Sequence, residues 1–331
     1  MKKFPAFRIH SDNGNTSAGI EQISLDQLSE GEVVIQVNYS SVNYKDALAG
    51  TGRAQILRRP QLVGGIDLAG TVVESSSTDF INGDKVIVNG SGLSEVQDGG
   101  YAEFARVPAD WVVPLPAGLS LRQSMIIGTA GFSAALGIHI MQNNHQSPED
   151  GPIVVTGASG GVGSFAVNIL DKLGYTVIAV SSSEDAHDYL QELGASKIVG
   201  LDKLDIGDGV LEKTRWAGAI DNLGGDVLAK LIRATKSWGN VVSVGIAGGI
   251  KFDLSTMPFI IRGVNLLGVS SSNCPQALRK QIWQRLGDDL HPSQIAKIHS
   301  KSIKLADLPE TFDTLLNNEM RGRVLVEIVS E

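Results

Sequence analysis

The sequence contains a single cysteine, Cys274, among its 331 residues. One thiol cannot form a disulfide within the chain, and it cannot build a zinc site made of several cysteines. The histidines also lack the short, regular spacing of metal ligands; they are His10, His139, His145, His187, His291 and His299. An internal disulfide and a cysteine-built zinc site are therefore excluded, and a reducing compartment is expected.

Positive charge is also scarce. The 28 Lys and Arg residues face 36 Asp and Glu residues, so the formal net charge is −8, and no basic run is longer than Arg58-Arg59. This balance argues against nucleic acid or an anionic membrane surface as the main partner. The N-terminus lacks a signal peptide's apolar core, and no apolar run reaches the roughly 18 residues of a membrane-spanning helix. We expect a cytoplasmic protein with no membrane segment.

The most informative segment is the glycine-rich stretch after the apolar run Ile153–Thr156. Gly157 permits a tight turn, Gly160 lets a pyrophosphate approach the backbone, and Gly163 lets the following helix pack closely. The N-terminus of that helix offers N–H groups and a partial positive charge to phosphates. The stretch predicts a dinucleotide site, with a turn that only packs a helix on a sheet as the alternative.

The end of the next predicted strand, Thr176–Val180, indicates which dinucleotide is bound. NAD sites commonly carry an acidic residue there for the ribose 2′-hydroxyl, whereas this strand runs into Ser181-Ser182-Ser183 before Glu184. Without a terminal carboxylate, a 2′-phosphate is favoured, although no Arg or Lys stands in the turn to pair with it. The serines also fit a simple helix cap. NADP(H) is therefore predicted over NAD(H).

The pattern of the chain changes near residue 125. Before it, short β-like segments alternate with Gly, Asn, Ser and Asp turns, which is typical of a small antiparallel barrel. After it, helices separate six predicted strands at 153–156, 176–180, 197–201, 218–222, 240–246 and 265–270, as in a doubly wound parallel sheet. We predict an α/β fold with a catalytic domain, residues 1–125 rejoined by 300–331, and a dinucleotide-binding domain, residues 126–299. The substrate is expected in the cleft between them.

Several short motifs follow one another in a characteristic order: Ser41–Asp46, Gly65–Gly70, Gly83–Val86, Gly99–Glu103, Gly128–Phe132, Gly157–Gly163 and Gly322–Val326. In this order and spacing the chain resembles the medium-chain dehydrogenase/reductase superfamily over nearly its whole length. The resemblance implies a GroES-like β-barrel catalytic domain and a Rossmann domain that binds NADP(H). It also implies a homodimer built on the strand Asn265–Ser270, which would otherwise present an exposed apolar edge.

The positions of the catalytic zinc ligands separate the zinc alcohol dehydrogenases of this superfamily from its zinc-free reductases. Asn43 stands where a cysteine ligand would be needed, and Ile66-Asp67 stands where a His-Glu pair would be needed. The four-cysteine structural lobe is missing too. We therefore expect no metal and no zinc-dependent alcohol oxidation.

Further segments are similar to the quinone-oxidoreductase-like branch, which includes bacterial acrylyl-CoA reductases: Asn43–Leu48, Met125–Thr129, Trp216–Asp221, Ala247–Gly249, Met257–Arg262 and Asn317-Asn318. This resemblance implies NADPH-dependent reduction of an α,β-unsaturated carbonyl, with acrylyl-CoA as the expected substrate. An NADPH:quinone reductase is the alternative enzyme. A non-catalytic NADP(H)-binding sensor or structural protein is the alternative from another class.

The same resemblance implies a set of cofactor contacts: Tyr44, Ser159, Gly160, Gly161, Val162, Ser181, Ser182, Ser183, Ile246, Ile260, Ser271 and Asn318. Thr129 is a candidate for a nicotinamide contact. Arg323 is a candidate for the cofactor or for an acidic substrate group, with a plain salt bridge as the alternative. Two departures stand out, since relatives often have a basic residue at Ser183 and a proline at Gly64.

Enoyl reduction leaves an enolate, so the site needs a donor for the enolate oxygen and a proton for the α-carbon. Tyr44 is predicted to donate its phenol proton to the carbonyl or to the nicotinamide ribose; a half-buried structural tyrosine is the alternative. Asn43 is a candidate for orienting the carbonyl or a water, and also fits a structural turn. Asp67, in an apolar stretch, is expected to bind Lys45 or to order the loop, with direct proton transfer the less favoured role.

A CoA substrate also needs basic residues for its phosphates, and the candidates are Lys45, Arg53, Arg58 and Arg59. A small quinone needs none of them. The alternative is that these residues form an ordinary solvated loop.

Overall fold

The computed structural model describes residues 2–12, 14–204 and 206–330. Two compact units divide the chain. The first contains the residues up to Thr129, the segment Ser271–Asp288 and the residues from His299 onward, and the second contains Ala130–Ser270 and Asp289–Ile298. The sequence had placed residues 271–288 in the dinucleotide-binding domain. They belong to the first unit because the buried side chains of Arg279 and Trp283 both bind Asn89 of that unit.

The described strands are β1 (Phe4–Asp12), β2 (Asn15–Ile23), β3 (Val33–Ser41), β4 (Gln61–Val63), β5 (Asp67–Ser75), β6 (Lys85–Asn89), β7 (Phe104–Val107), β8 (Val113–Pro114), β9 (Ile153–Val155), β10 (Val177–Val180), β11 (Lys197–Val199), β12 (Trp216–Asp221), β13 (Thr235–Ser243), β14 (Asn265–Gly268), β15 (His299–Ile303) and β16 (Arg323–Glu327). The α-helices are α1 (Tyr44–Thr51), α2 (Leu121–Asn143), α3 (Gly161–Lys172), α4 (His187–Glu192), α5 (Gly225–Arg233), α6 (Met257–Arg262), α7 (Gln276–Leu286), α8 (Ile295–Ile298) and α9 (Leu308–Leu316).

The first unit contains two sheets. One has the order β15-β16-β3-β5-β6-β8, with β7 also paired to β3, and the other has the order β2-β1-β4. Its pairs are antiparallel except β15 with β16. The C-terminal strand β16 pairs with β3, with Val326 opposite Ser40, so the predicted return of the C-terminus to the first domain is confirmed. The rings of Phe7, Tyr101 and Phe312 pack together in its core.

The second unit is built on a six-stranded sheet in the order β11-β10-β9-β12-β13-β14, and all of its pairs are parallel. The predicted doubly wound sheet is confirmed, since each of the six predicted strands overlaps an observed one. The strand order reverses at β9, which has β10 on one side and β12 on the other. In such sheets ligands bind outside the carboxyl ends of the strands at this switch point.

Helix α2 is long and apolar enough to cross a membrane by length and composition, which the sequence reading had not expected of any segment. However, 89% of its most apolar window is buried inside the protein. Apolar residues on every side of a helix are also typical of the core of a large protein. We therefore assign α2 to the core. Its path is interrupted at Gly128, whose φ of 49° and ψ of −159° are not helical.

Candidate functional site

The glycine turn of the second unit joins β9 to α3. Gly157 has a φ of 56°, and Gly160 precedes the first residue of α3. A Cβ on Gly163 would lie 2.3 Å from the Gly157 carbonyl oxygen, so only glycine lets α3 rest on the turn. A Cβ on Gly160 would meet that oxygen at 3.4 Å and nothing nearer. The turn is thus crowded at Gly163 but open at Gly160, and phosphates can approach the N–H groups of α3 there.

A cluster of hydrogen-bonded polar residues at the ends of β9 and β12 stabilises this glycine turn. The Thr156 hydroxyl donates to Asp221 Oδ1 at 2.6 Å, and the Gly224 N–H donates to Asp221 Oδ2 at 2.7 Å. The Asn222 side-chain amide donates to the Thr156 carbonyl oxygen at 2.7 Å. Burial raises the pKa of the Asp221 carboxyl, and the hydrogen bonds that the carboxyl accepts offset part of this rise. These bonds tie the carboxyl ends of β9 and β12 together. No motif in the sequence marks these bonds, although a polar residue at the end of each apolar strand is a signal that points to them.

The three predicted serines follow β10 at the same edge of the sheet. Ser181 is buried, and its hydroxyl lies 3.3 Å from that of Ser159 and accepts the Ser183 N–H at 3.3 Å. Ser182 and Ser183 are exposed. Ser183 also precedes the 3₁₀ turn Glu184–Ala186, but its side chain makes no capping bond. The first serine therefore shapes the turn, while the other two hydroxyls remain available to a ligand.

A basic residue that the sequence reading did not consider lies on the neighbouring turn. The Ser181 N–H donates to the Val199 carbonyl oxygen at 3.1 Å, which places the residues after β11 beside the serines. The 3₁₀ turn Leu201–Leu204 follows, and its Lys203 is exposed. Lys203 follows the predicted strand 197–201, so the order of the parallel strands brings it to this edge, although no motif in the sequence marks it.

Two further predicted cofactor residues lie at opposite edges of the sheet. Ile246 is 63% exposed and follows β13 at the carboxyl edge, beside Gly224. Ile260 lies in α6, where Arg262 donates to the carbonyl oxygen of Arg233 at 2.8 Å, just before β13 begins. This is the amino edge, across the sheet from the glycine turn. The contact of Ile260 with the cofactor stays a prediction.

Asn43 and Tyr44 begin helix α1 in the first unit. Asn43 is buried, and its side-chain amide donates to Asp67 Oδ2 at 2.8 Å and to Asp46 Oδ2 at 3.2 Å. Tyr44 is the first residue of the helix and is 46% exposed. The buried hydrogen bonds of Asn43 thus fix the start of α1, while the adjacent Tyr44 is exposed to solvent. The donors of Asn43 are used inside the protein, which supports its structural role over contact with a substrate.

Asp67 accepts four hydrogen bonds and is fully buried. Its Oδ2 accepts from Ser41 Oγ at 2.6 Å, Asn43 Nδ2 at 2.8 Å and the Thr129 N–H at 2.8 Å; Oδ1 accepts from Thr129 Oγ1 at 2.6 Å. The expected bond to Lys45 is wrong, because that ammonium pairs with Glu95. The alternative, a carboxylate that orders the loop, agrees with the structure. Its burial leaves no surface for direct proton transfer to a substrate.

Arg323 lies beside this carboxylate and is buried as well. Its Nε donates to the Ile126 carbonyl oxygen at 3.1 Å, its Nη1 donates to the Val42 carbonyl oxygen at 2.8 Å, and its Nη2 lies 4.0 Å from Asp67 Oδ2. A Cβ on Gly128 would fall 2.7 Å from Asp67 Oδ2 and 2.8 Å from Arg323 Nη2. The guanidinium therefore connects the residue after β3, helix α2 and the start of β5 inside the first unit. This agrees with the alternative of a salt bridge, and a contact of Arg323 with the cofactor or an acidic substrate group stays a prediction.

Asp46 is a second buried carboxyl next to Asp67. Burial, followed by the negative charge of Asp67, raises the pKa of Asp46 to about 7. The Ile66 N–H at 2.9 Å and the Asn43 N–H at 2.9 Å act in the opposite direction by donating to it. In the sequence Asp46 stands out only as part of the motif Ser41–Asp46, because its burial depends on contacts far along the chain.

The last two predicted contacts belong to the first unit. Ser271 is partly exposed, and its carbonyl oxygen accepts from Arg279 Nη2 at 3.0 Å. Asn318 is exposed just after α9 and has a φ of 59°. No group of three His, Cys, Asp or Glu side chains suited to a metal occurs within residues 2–12, 14–204 and 206–330.

Comparisons with known protein families agree with the two-part architecture. Residues 29–117 match the alcohol dehydrogenase GroES-like domain, and residues 161–287 match the zinc-binding dehydrogenase family. These matches confirm the predicted fold class, a GroES-like domain combined with a Rossmann domain.

Two curated proteins and two crystal structures are similar over nearly the full length. The putative quinone oxidoreductase YhfP of Bacillus subtilis is 42% identical, over 98% of this chain and 99% of that protein. The probable acrylyl-CoA reductase AcuI of Escherichia coli is 45% identical, over 98% and 99%. The Salmonella enterica yhdH oxidoreductase in complex with NADP has a TM-score of 0.94 at 46% identity, covering 98% of this chain and 100% of that one. The Bacillus subtilis yhfP structure with NAD bound has a TM-score of 0.95 at 41% identity, covering 99% and 100%.

Proposed function

Since the chain belongs to the medium-chain dehydrogenase/reductase superfamily, in the branch of YhfP and AcuI, we propose that it is an NADPH-dependent reductase of activated C=C bonds. The proposed substrate is acrylyl-CoA and the product is propionyl-CoA. The observation that carries this proposal is the exposed phenol of Tyr44, held by a buried cap at the first residue of α1. A donor fixed in this way suits a developing enolate oxygen, because it needs little reorganisation during the reaction.

The cofactor proposal rests on the second unit. The open side of the turn at Gly160 leaves room for a pyrophosphate, and the N–H groups of α3 can bind it. The exposed hydroxyls of Ser182 and Ser183, with Lys203 on the adjacent turn, suit the 2′-phosphate of NADP(H). Similar proteins crystallised with NADP and with NAD, so the choice between the two cofactors is part of the test.

In the proposed reaction, bound NADPH supplies a hydride to the β-carbon of the acrylyl group. The electron pair of the C=C bond moves to the carbonyl oxygen, where the Tyr44 hydroxyl donates a hydrogen bond to the enolate. Collapse of the enolate takes up one proton at the α-carbon, which water can provide, and yields the saturated thioester. Asn43 and Asp67 act indirectly, because the hydrogen bond between them fixes the N-terminus of α1 and thereby positions Tyr44.

The test is the rate of NADPH oxidation by the purified protein with acrylyl-CoA, crotonyl-CoA and a simple quinone, each repeated with NADH. We expect turnover with acrylyl-CoA to exceed that with the quinone, and NADPH to be preferred over NADH. Turnover restricted to the quinone would overturn the acrylyl-CoA proposal and favour the alternative enzyme, an NADPH:quinone reductase. Binding of NADPH without any turnover would favour the non-catalytic alternative.

We further propose that the protein is a homodimer joined at β14. This strand ends the six-stranded sheet, and its Leu266 is 39% exposed. The nearby Ile260, Ile261 and Trp238 are 72%, 60% and 78% exposed, which is unusual for large apolar side chains close together. Light scattering should give twice the mass of one chain, and Leu266→Lys should shift it toward the monomer. A wild-type protein that is monomeric at all concentrations would contradict this proposal. We place the enzyme in the cytoplasm, where a buried thiol such as Cys274 stays reduced.

A further inference from the structure

The chain segment 45–59, which contains most of helix α1 and the loop after it, has a net charge opposite in sign to that of the whole chain. The chain carries a net charge of −8, yet residues 45–59 contain Lys45, Arg53, Arg58 and Arg59 with one acidic residue, Asp46. Asp46 is only 1% exposed, so it does not offset these cations at the surface. A positive region on an acidic protein concentrates anionic ligands there.

The backbone of this segment is fixed where the arginines leave it. Leu57 is buried in the core of the first unit, and the Arg58 N–H donates to the Glu95 carbonyl oxygen at 2.8 Å. Arg53 follows Gly52, the C-terminal cap of α1, which has a φ of 71° and lies against Thr16. Both arginine side chains therefore extend outward from an ordered backbone, which lowers the entropic cost of binding.

The acidic groups nearby do not neutralise these two arginines. Glu95 forms an ion pair with Lys45, whose side chain is 28% exposed. Arg58 lies near enough to Lys45 that its charge lowers the pKa of the lysine, after the larger effect of burial. Across residues 2–12, 14–204 and 206–330, no carboxylate pairs with the exposed guanidinium of Arg53 or of Arg58.

The position of this surface relative to Tyr44 indicates the kind of ligand. Tyr44 and Lys45 are neighbours in the first turn of α1, and Arg53 lies just beyond its last turn, roughly 12 Å along the helix axis at 1.5 Å per residue. A ligand that reaches from the cations to the phenol needs phosphates at one end and a reactive carbonyl at the other. We propose that Arg53 and Arg58 bind the phosphate groups of coenzyme A, so that the acyl thioester extends to Tyr44. This inference rests on the proposed function and names the part of the substrate that the enzyme recognises.

The experiment compares two thioesters of acrylate, one with CoA and one with pantetheine, which lacks the nucleotide phosphates. In the double variant Arg53→Ala/Arg58→Ala we expect KM for acrylyl-CoA to rise about tenfold or more, since charge-assisted bonds to phosphate are lost. KM for the pantetheine thioester and kcat for both substrates should stay unchanged. Arg53→Lys/Arg58→Lys should give an intermediate KM, because the charge is kept but bidentate bonds are lost.

The control removes two exposed cations elsewhere in the first unit, as Lys85→Ala/Lys301→Ala, and should change neither KM. An unchanged KM for acrylyl-CoA in the arginine double variant, or an equal rise for both thioesters, would overturn the inference. Calorimetric titration with CoA alone tests the phosphate site separately from the proposed reaction. If the wild type binds CoA more tightly than the double variant but reduces neither thioester, the phosphate site stands and the proposed reaction fails.

Discussion

Thr129 binds Asp67 through two groups: its N–H donates to Oδ2 at 2.8 Å and its hydroxyl donates to Oδ1 at 2.6 Å. The residue follows Gly128, where α2 is interrupted, so the carboxylate holds the chain just after the break. The single hydroxyl proton of Thr129 is used in this bond. Any contact between Thr129 and a nicotinamide would therefore have to use the oxygen as an acceptor, and this contact stays a prediction.

Replacing Asp67 tests whether the carboxylate is structural. In Asp67→Asn the remaining oxygen cannot accept from Ser41, Asn43 and Thr129 together, and the buried Arg323 loses its nearest negative charge. We expect the free energy of unfolding to fall by about 3–5 kcal/mol, as when one partner of a buried ion pair is removed. Urea unfolding measures this change.

The exposed carboxylate of Asp110 provides the matched control. Asp110→Asn should change the free energy of unfolding by no more than about 0.5 kcal/mol. If the two variants were equally stable, the hydrogen bonds of Asp67 would not have the structural role assigned to them.

The pKa of Asp46 predicts how stability depends on pH. Burial and the Asp67 charge raise this pKa from its ordinary value of 3.8 to about 7. Between these values the folded state binds a proton that the unfolded state has released, so a rise in pH removes stability. The free energy of unfolding of the wild type minus that of Asp46→Asn should therefore fall from about pH 4 to about pH 7 and stay level above it. Urea unfolding across this range measures the slope, and a wild-type stability that rises with pH relative to that of Asp46→Asn would contradict the assignment.

Tyr44 should affect catalysis without affecting the fold. Its side chain is 46% exposed, so Tyr44→Phe should leave the free energy of unfolding within about 0.5 kcal/mol of wild type. Loss of one preorganised donor should lower kcat by about 10²-fold. Stopped-flow measurement of NADPH oxidation separates this loss from changes in KM.

Tyr175→Phe is the control for the loss of a tyrosine hydroxyl. This hydroxyl donates to the Gln146 carbonyl oxygen at 2.9 Å inside the second unit. We expect it to cost about 1 kcal/mol of stability and to leave kcat unchanged. An equal fall in kcat in both variants would argue against a direct role for Tyr44.

The fold was predictable where local patterns decide it. The strands β9 and β10 are apolar runs bounded by glycine and serine, and the glycine turn between them has a recognisable spacing. Parallel strands then bring their carboxyl ends to one edge, so the place of the glycine turn and of Ser181–Ser183 followed from order along the chain.

The internal contacts of the first unit were not predictable in this way. Asp67 and Arg323 are remote in sequence, and their burial depends on β16 returning to pair with β3. The sequence marked both as polar residues within motifs, which is equally compatible with binding a ligand and with supporting a loop. The motif likewise showed the identity of Ile260 but not the edge of the sheet on which α6 ends.

The glycine turn offers a test that separates packing from cofactor binding. Gly160→Ala places a methyl group on the open side of the turn, where the nearest atom is 3.4 Å away. It should change stability by no more than about 1 kcal/mol, yet weaken NADPH binding about tenfold or more by blocking the pyrophosphate. Gly163→Ala instead forces a methyl group to 2.3 Å from the Gly157 carbonyl oxygen and should lower the free energy of unfolding by about 1–3 kcal/mol. Fluorescence titration with NADPH and thermal unfolding measure the two effects. Wild-type affinity in Gly160→Ala would show that the dinucleotide does not approach this turn.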